Sequence, residues 1–230
     1  MIFRQLFDHT SHTYTYLLAE RRGGEALLID PVLENTARYA RLLEELDVKL
    51  VMAADTHIHA DHVTALGALR DQSGCASAMG AMTRAECVSV HFHEGEKLCV
   101  DNLHLDILYT PGHTDDSYSF LLPDRVFTGD TLLIRGTGRT DFQNGDPAAQ
   151  YDSLFGKLLT LPEDTLVYPA HDYNGMTLST IGEEKRHNPR LQVADKQAYI
   201  ELMNGLELDD PKLMDIAVPA NRACGARHAA

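Results

Sequence analysis

The chain reads as an α+β protein built from two β-sheets packed face to face, with helices on their outer faces. Three observations lead there. Strand-like runs come in blocks within each half, and helical stripes fall between them. Residues suited to metal chemistry recur just past the ends of strand-like runs in both halves, so both halves feed one cluster. The 230 residues, 44% hydrophobic and 23% charged, suffice for one sizeable core or two intimately packed halves of an ordinary globular protein. No stretch rich in Pro, Gly or Ser, no repeat and no low-complexity tract divides the chain, so one domain over residues 1–230 is expected.

The elements follow from periodicity. Residues 14–18 and 26–29 read as strands joined by a turn at Gly23-Gly24, an opening hairpin that Asp30-Pro31 closes. Residues 35–46 place Ala37, Ala40, Leu43 and Leu46 at helical spacing. Residues 48–54 are mostly apolar and read as a buried strand, and residues 63–70 carry Val63, Leu66 and Leu69 at helical spacing. Strands near 88–92, 97–100 and 103–109 end the first half. The second half runs through strands at 118–122 and 126–128, a helix near 147–159, a strand at 165–168 and a helix near 179–185. Asn188-Pro189 breaks the chain, residues 193–202 read as a helix, and the tail reads as mostly irregular.

Between the strand at 48–54 and the helix that follows lies Asp55-Thr56-His57-Ile58-His59-Ala60-Asp61-His62. Neutral imidazole and carboxylate are ligands for a divalent metal of borderline hardness. A lone histidine is more often a core or surface residue, but no packing rule asks for three with an aspartate at this spacing. Further donors stand in Pro111-Gly112-His113, in Thr128-Gly129-Asp130 and in Pro169-Ala170-His171, each just past a strand-like run. Taken singly these are turn or cap sequences. Their repetition is what points to a metal site.

Composition excludes other classes. The formal net charge of −14 argues against wrapping nucleic acid, which wants a basic face. It leaves room for an anionic small substrate, because local arginines override overall charge. No apolar run approaches a membrane span. The opening Met1-Ile2-Phe3-Arg4-Gln5-Leu6-Phe7 lacks a signal-peptide apolar region, so a cytoplasmic location is expected. Cys75, Cys87, Cys99 and Cys224 form no Cys-x-x-Cys pair and are expected to be reduced, as small buried apolar residues.

The order His-x-His-x-Asp-His, Gly-His, Gly-Asp, late His resembles the metallo-β-lactamase superfamily. That resemblance implies its four-layer αβ/βα sandwich. It matches His57, His59 and His113 to one metal site and Asp61, His62 and His171 to a second, with Asp130 bridging. Three longer segments narrow the family: residues 128–143 around Arg135-Gly136-Thr137-Gly138-Arg139-Thr140-Asp141-Phe142-Gln143, residues 168–175 around His171-Asp172-Tyr173, and residues 183–191 around Asn188-Pro189-Arg190. With Ala217-Val218-Pro219-Ala220-Asn221 they resemble the persulfide dioxygenases, also called sulfur dioxygenases or the ethylmalonic-encephalopathy-protein family.

This resemblance implies one Fe(II) per chain, held by His57, His113 and Asp130, a two-histidine, one-carboxylate set that leaves three octahedral positions open. His59, Asp61, His62 and His171 are then expected to stay metal-free and to orient ligands or waters through hydrogen bonds, although by residue type they also suit a second metal. The implied reaction takes glutathione persulfide, O₂ and water to sulfite and glutathione, in a homodimer. Whether a rhodanese sulfurtransferase supplies the persulfide stays open. For substrate contacts the candidates are Tyr173, Arg139, Arg190 and Asn221. Arg139 either pairs with a glutathione carboxylate or satisfies loop carbonyls, and Arg190 either reaches the pocket or is solvated.

The rival reading is a glyoxalase-II-type thioester hydrolase, which would use the same side chains for two metals and an activated bridging water. Against it stand the short stretch after His171, sparse in Lys and Arg beyond Arg190, and Ala170-His171-Asp172-Tyr173 where that family tends to have Gly-His-Glu-Tyr. A non-catalytic sulfur carrier would want a reactive exposed cysteine, and none sits in a thiolate-stabilising context.

Overall fold

A computed structural model describes residues 1–208 and 213–225. They divide into two compact units. The first comprises Met1–Phe92, Lys97–Leu105 and residues 213–225; the second comprises His93–Glu96 and residues 106–208.

The first unit holds a six-stranded mixed sheet of β1 (Ile2–Phe7), β2 (Tyr14–Ala19), β3 (Glu25–Ile29), β4 (Lys49–Ala54), β5 (Ala76–Gly80) and β6 (Val90–Phe92), in that order across the sheet. β1, β2 and β3 are antiparallel neighbours, and β3 to β6 run parallel. The expected opening hairpin is therefore a three-stranded meander, because β1 pairs with β2 from Ile2 opposite Ala19 to Phe7 opposite Tyr14. β5 also escapes sequence reading. Its Ala-Ser-Ala-Met-Gly run shows no alternation, as suits a strand flanked by parallel partners on both edges.

The helix α1 (Thr36–Leu46) buries Tyr39 and Leu46 and stops at Asp47, whose left-handed backbone lets its N–H reach the carbonyls of Leu43 and Glu44. α2 (Leu66–Ser73) begins later than its periodicity suggests, because Thr64 forms a bridge with Val32. Leu17, Leu28, Tyr39, Leu66 and Leu69 pack together in this unit's core.

A second six-stranded sheet runs in the reverse of sequence order, from β12 (Ser179–Thr180) through β11 (Leu166–Pro169), β10 (Arg125–Gly129), β9 (Tyr118–Leu122) and β8 (Leu103–Tyr109) to β7 (Lys97–Val100). β10 and β11 are parallel; β8, β9 and β10 are antiparallel. Three helices accompany it: α3 (Pro147–Gly156), α4 (Ile181–His187) and α5 (Lys196–Asn204). Each has a side-chain cap. Asp146 accepts from Ala148 and Ala149 N–H, Thr180 from Glu183 N–H, and Asp195 from Ala198 N–H. Val126, Leu154, Leu158, Val167, Ile181 and Tyr199 form the core of the second unit.

Two sequence expectations are corrected. The tail contains a helix, α6 (Met214–Arg222), hidden from sequence reading by Pro219 inside it. The cysteines are not all reduced and buried: Cys87 and Cys224 are joined in a disulfide across 137 residues of sequence, and Cys99 is exposed. Spacing along the chain carries no sign of that pair, since only the fold brings their Cα atoms to 5.9 Å. Cys75 is a buried free thiol, as expected, and burial pushes its pKa up. Among the described residues no helix is long and apolar enough to cross a membrane.

The Asp146→Ala variant should lose about 1 kcal/mol of stability to urea. Equilibrium denaturation followed by circular dichroism measures this, and an unchanged midpoint would mean the cap does not hold α3.

Candidate functional site

Every ligand candidate lies just past the C-terminal end of a strand: residues 55–62 after β4, His113 after β8, Asp130 after β10 and His171 after β11. The reason is local. At a strand end the backbone leaves the ladder, so a side chain is free of the alternation that would point it into a sheet face.

In the first unit the loop after β4 is built around a buried carboxylate that sequence reading took only for the end of the hairpin. Asp30, just past β3, accepts from Thr56 N–H at 2.7 Å, from the Thr56 hydroxyl at 3.1 Å and from His59 Nε2 at 3.2 Å. Burial pushes its pKa up to about 6, while the neighbouring His57 charge and the Thr56 hydrogen bonds pull the other way. With its hydrogen given to Asp30, the Thr56 hydroxyl accepts from His57 Nδ1 at 2.9 Å, which leaves Nε2 as the ring's ligand atom. The His57 and His59 rings lie 4.2 Å apart and those of His59 and His62 4.4 Å, all three buried. His62 Nδ1 meets Asp61 Oδ2 at 2.9 Å, and the Thr13 hydroxyl stands 3.2 Å from both groups.

Asn221 belongs to this unit. Its side chain is buried and spent on the loop: the amide N–H groups donate to the carbonyls of His59 at 2.9 Å and His62 at 2.8 Å, and its oxygen accepts from Thr64 N–H at 2.8 Å. Every polar atom of the amide expected to contact substrate is thus already bonded to backbone.

In the second unit Asp130 and His171 come together, with His171 Nδ1 donating to Asp130 Oδ1 at 2.7 Å. A register shift between Phe127 and Gly129 precedes Asp130, and Gly129 takes a positive φ of 52°, which turns the aspartate out of the strand. His113 Nδ1 donates to the Arg139 carbonyl at 2.7 Å, so its Nε2 is presented, 3.5 Å from Asp130 Oδ2. The loop that supplies this carbonyl is held from behind. Gln150 donates to the Gly138 carbonyl at 3.0 Å and accepts from the Tyr199 hydroxyl at 2.7 Å, with burial pushing that phenol's pKa up to about 12. The fully buried Glu184 accepts from Arg135 N–H at 2.9 Å, from the Arg135 guanidinium and from Asn188 at 2.8 Å. Asn188 also donates to the Gly136 carbonyl at 2.9 Å. None of Gln150, Glu184 and Asn188 was read as part of the site.

A cavity of about 610 Å³ opens in this unit beside His113, Asp130 and His171. Arg135, Arg139, Tyr173 and Arg190 also line it. Tyr173 is 63% exposed and stacks parallel to His171 at 6.2 Å. Arg139 pairs in bidentate fashion with Asp141, both bonds at 2.7 Å, and lies 4.3 Å over the Phe142 ring. Arg190 instead reaches the Thr137 carbonyl and hydroxyl, both through NH1. Arg190 is half-buried, and desolvation pulls its pKa down.

Known proteins agree with these halves. The metallo-beta-lactamase superfamily model matches residues 10–171, a stretch that contains every ligand candidate. The mouse protein "Persulfide dioxygenase ETHE1, mitochondrial" is 46% identical over 99% of this chain and 90% of its own. The structure of ETHE1 from Myxococcus xanthus matches with a TM-score of 0.96 at 54% identity, covering 98% of this chain and 100% of that one. This chain belongs to the persulfide dioxygenase family. A metallo-beta-lactamase from Staphylococcus aureus, 23% identical over 100% of this chain and 74% of its own with a TM-score of 0.91, confirms the α+β metallo-β-lactamase fold.

Gly138 lies against two of the ligand candidates, His113 and Asp130. A Cβ there would stand 2.3 Å from the Asp130 carbonyl oxygen and 2.7 Å from His113 Cγ. Gly138→Ala should therefore displace both, lowering bound metal and cutting turnover at least about tenfold in a protein that still folds. Metal analysis beside circular dichroism checks it; full metal retention would show that the loop yields without moving its ligands.

Proposed function

We propose that the chain is a persulfide dioxygenase using one ferrous ion per chain, with His57 from the first unit and His113 and Asp130 from the second as ligands and the two units acting as one domain. The observation that carries this is the mouse and Myxococcus kinship over nearly the whole chain, joined to a donor set of two imidazoles and a carboxylate whose ligand atoms are preset. That set fits iron: it is the facial triad of non-haem oxygenases. When bound, such an ion supplies electron transfer to O₂ and a soft-sulfur contact at its open positions.

The chain's own residues do the rest. His171 holds Oδ1 of Asp130, so Oδ2 is the oxygen offered to the metal. The Arg139 carbonyl and the Thr56 hydroxyl fix the two imidazoles as neutral Nε2 donors. His59, Asp61 and His62 are tied to Asp30 and Thr13, and we assign them to orientation of the loop with the second metal position left unused. The substrate is glutathione persulfide, and the family resemblance supports a homodimer. In the reaction the terminal sulfur takes both oxygens of O₂ and one from water, and the S–S bond breaks with its electron pair returning to glutathione.

Among the cavity's arginines, Arg190 is the best partner for a glutathione carboxylate. Arg139 and Arg135 are already neutralised by Asp141 and by Glu183 and Glu184, whereas among the described residues the Arg190 guanidinium meets the neutral Thr137 oxygens. We assign Tyr173, the exposed ring stacked on His171 at the cavity, to packing on or hydrogen-bonding the substrate.

Metal analysis of anaerobically purified protein with O₂ uptake on glutathione persulfide tests the reading. One iron per chain and stoichiometric uptake support it; two zincs with thioester hydrolysis would replace it with the hydrolase, which the kinship does not favour. His113→Ala should abolish both iron retention and turnover. Tyr173→Phe should keep its iron and lose roughly tenfold or less in turnover, the scale of one neutral hydrogen bond; iron loss in that variant would show that Tyr173 has been given the wrong role.

A further inference from the structure

The loop of residues 57–64 is held from one side by Asp30 and from the other by the C-terminal helix. That second attachment is made by one side chain. Asn221 bonds the carbonyls of His59 and His62 and the N–H of Thr64, three backbone groups within six residues. These groups are buried with the loop, so losing the amide would leave them without the bonds that burial demands.

Apolar packing is only part of what keeps Asn221 there. The buried residues of α6 are Ala217, Ala220 and Asn221, Val218 packs half-buried against the core of this unit, and Ile216 is 64% exposed. Two alanines and one half-buried valine bury little apolar surface. Covalent and close-fitting contacts add to it. The chain turns just past Asn221, with Cys224 N–H donating to the Asn221 carbonyl at 3.0 Å, and Cys224 is bonded to Cys87. Both half-cystines are fastened to α2, the helix that continues directly from the ligand loop. Gly67 N–H donates to the Cys224 carbonyl at 2.9 Å, and Arg70 donates to the Cys87 carbonyl at 2.7 Å. Gly67 has no room for a Cβ, which would stand 2.6 Å from the Cys224 oxygen. Loop, α2, disulfide and Asn221 thus form a closed ring of attachments.

We propose that Asn221 is a positioning residue for the metal-ligand loop and that the Cys87–Cys224 disulfide is its anchor, so that thiols which open the disulfide weaken metal retention. The inference rests on His57 being a metal ligand and not on the identity of the substrate. Cys224 is buried and Cys87 half-exposed, so the attack falls on the Cys87 sulfur. A low-molecular-weight thiolate bonds to that sulfur, the S–S bond breaks, and Cys224 leaves with the electron pair and takes a proton. A second thiol then displaces Cys87, giving the small-molecule disulfide and two protein thiols: two thiols are oxidised and one protein disulfide is reduced. The glutathione released in the proposed reaction belongs to this class of reductant.

The test uses the full chain loaded with cobalt(II) under argon, compared as oxidised wild type, Cys87→Ser and Asn221→Asp. In Asn221→Asp the acceptor for Thr64 N–H survives while both donors are lost. Cobalt affinity by chelator competition should fall about 10- to 100-fold in both variants, and the cobalt ligand-field spectrum should change. Amide exchange of residues 57–66 in metal-free wild type should accelerate on reduction with a phosphine and match that of Cys87→Ser, with the second unit's exchange unchanged. Equal affinity, spectrum and exchange in the oxidised protein and Cys87→Ser would overturn the anchor, and an unchanged Asn221→Asp would overturn the positioning role. Should Asn221→Asp not fold, Cys87→Ser, altered at a half-exposed position, decides alone. If these shifts appear while the iron-loaded protein takes up no O₂ with persulfide, the dioxygenase reading fails and the positioning role stands.

Discussion

The ligand loop of this protein depends on a carboxylate placed where water cannot reach it. Asp30 is buried at the end of β3, and a buried carboxylate is costly unless hydrogen-bond donors surround it. Thr56 and His59 supply those donors, and in doing so they shape the start of residues 55–62. The Thr56 hydroxyl then turns the His57 ring so that one particular nitrogen is offered. A single desolvated group thus sets loop path, ring orientation and tautomer together.

The second unit solves the same problem with a neutral acceptor. His113 is set by the carbonyl of Arg139, and a carbonyl is only as fixed as its loop. That loop is braced by Gln150 from α3, by Glu184 from α4 and by Asn188 just after it, three buried polar side chains aimed at backbone. Arg135 sits in this brace with a positive φ of 59°, a conformation that its bonds to Glu184 compensate. The helices of this unit therefore act on the site at one remove, and their caps and cores matter to chemistry through the loop they hold.

Much of this was legible. The strands before His57, His113, Asp130 and His171 show as apolar runs, and α1 as a stripe, because each signal is local and repeats at a fixed period. β5 and α6 were not legible. A short strand of small residues between parallel neighbours carries no alternation, and a proline inside a helix imitates a break. Asp30-Pro31 read as a turn because its sequence is a turn sequence, and nothing local marks that carboxylate as the centre of the loop.

By itself the sequence determined the kinds of donor available, their positions past strand ends and the family that arranges them so, since ligand chemistry belongs to residue types and strand ends to short-range pattern. Only the tertiary structure decided that Cys87 meets Cys224, that Asn221 binds the loop's backbone, and that Arg139 is paired by Asp141 while Arg190 reaches Thr137. The physical reason is the same in each case. A disulfide, a buried amide and a guanidinium take their roles from what stands within about 3 Å of them, and those neighbours come from segments that the chain's own spacing does not connect.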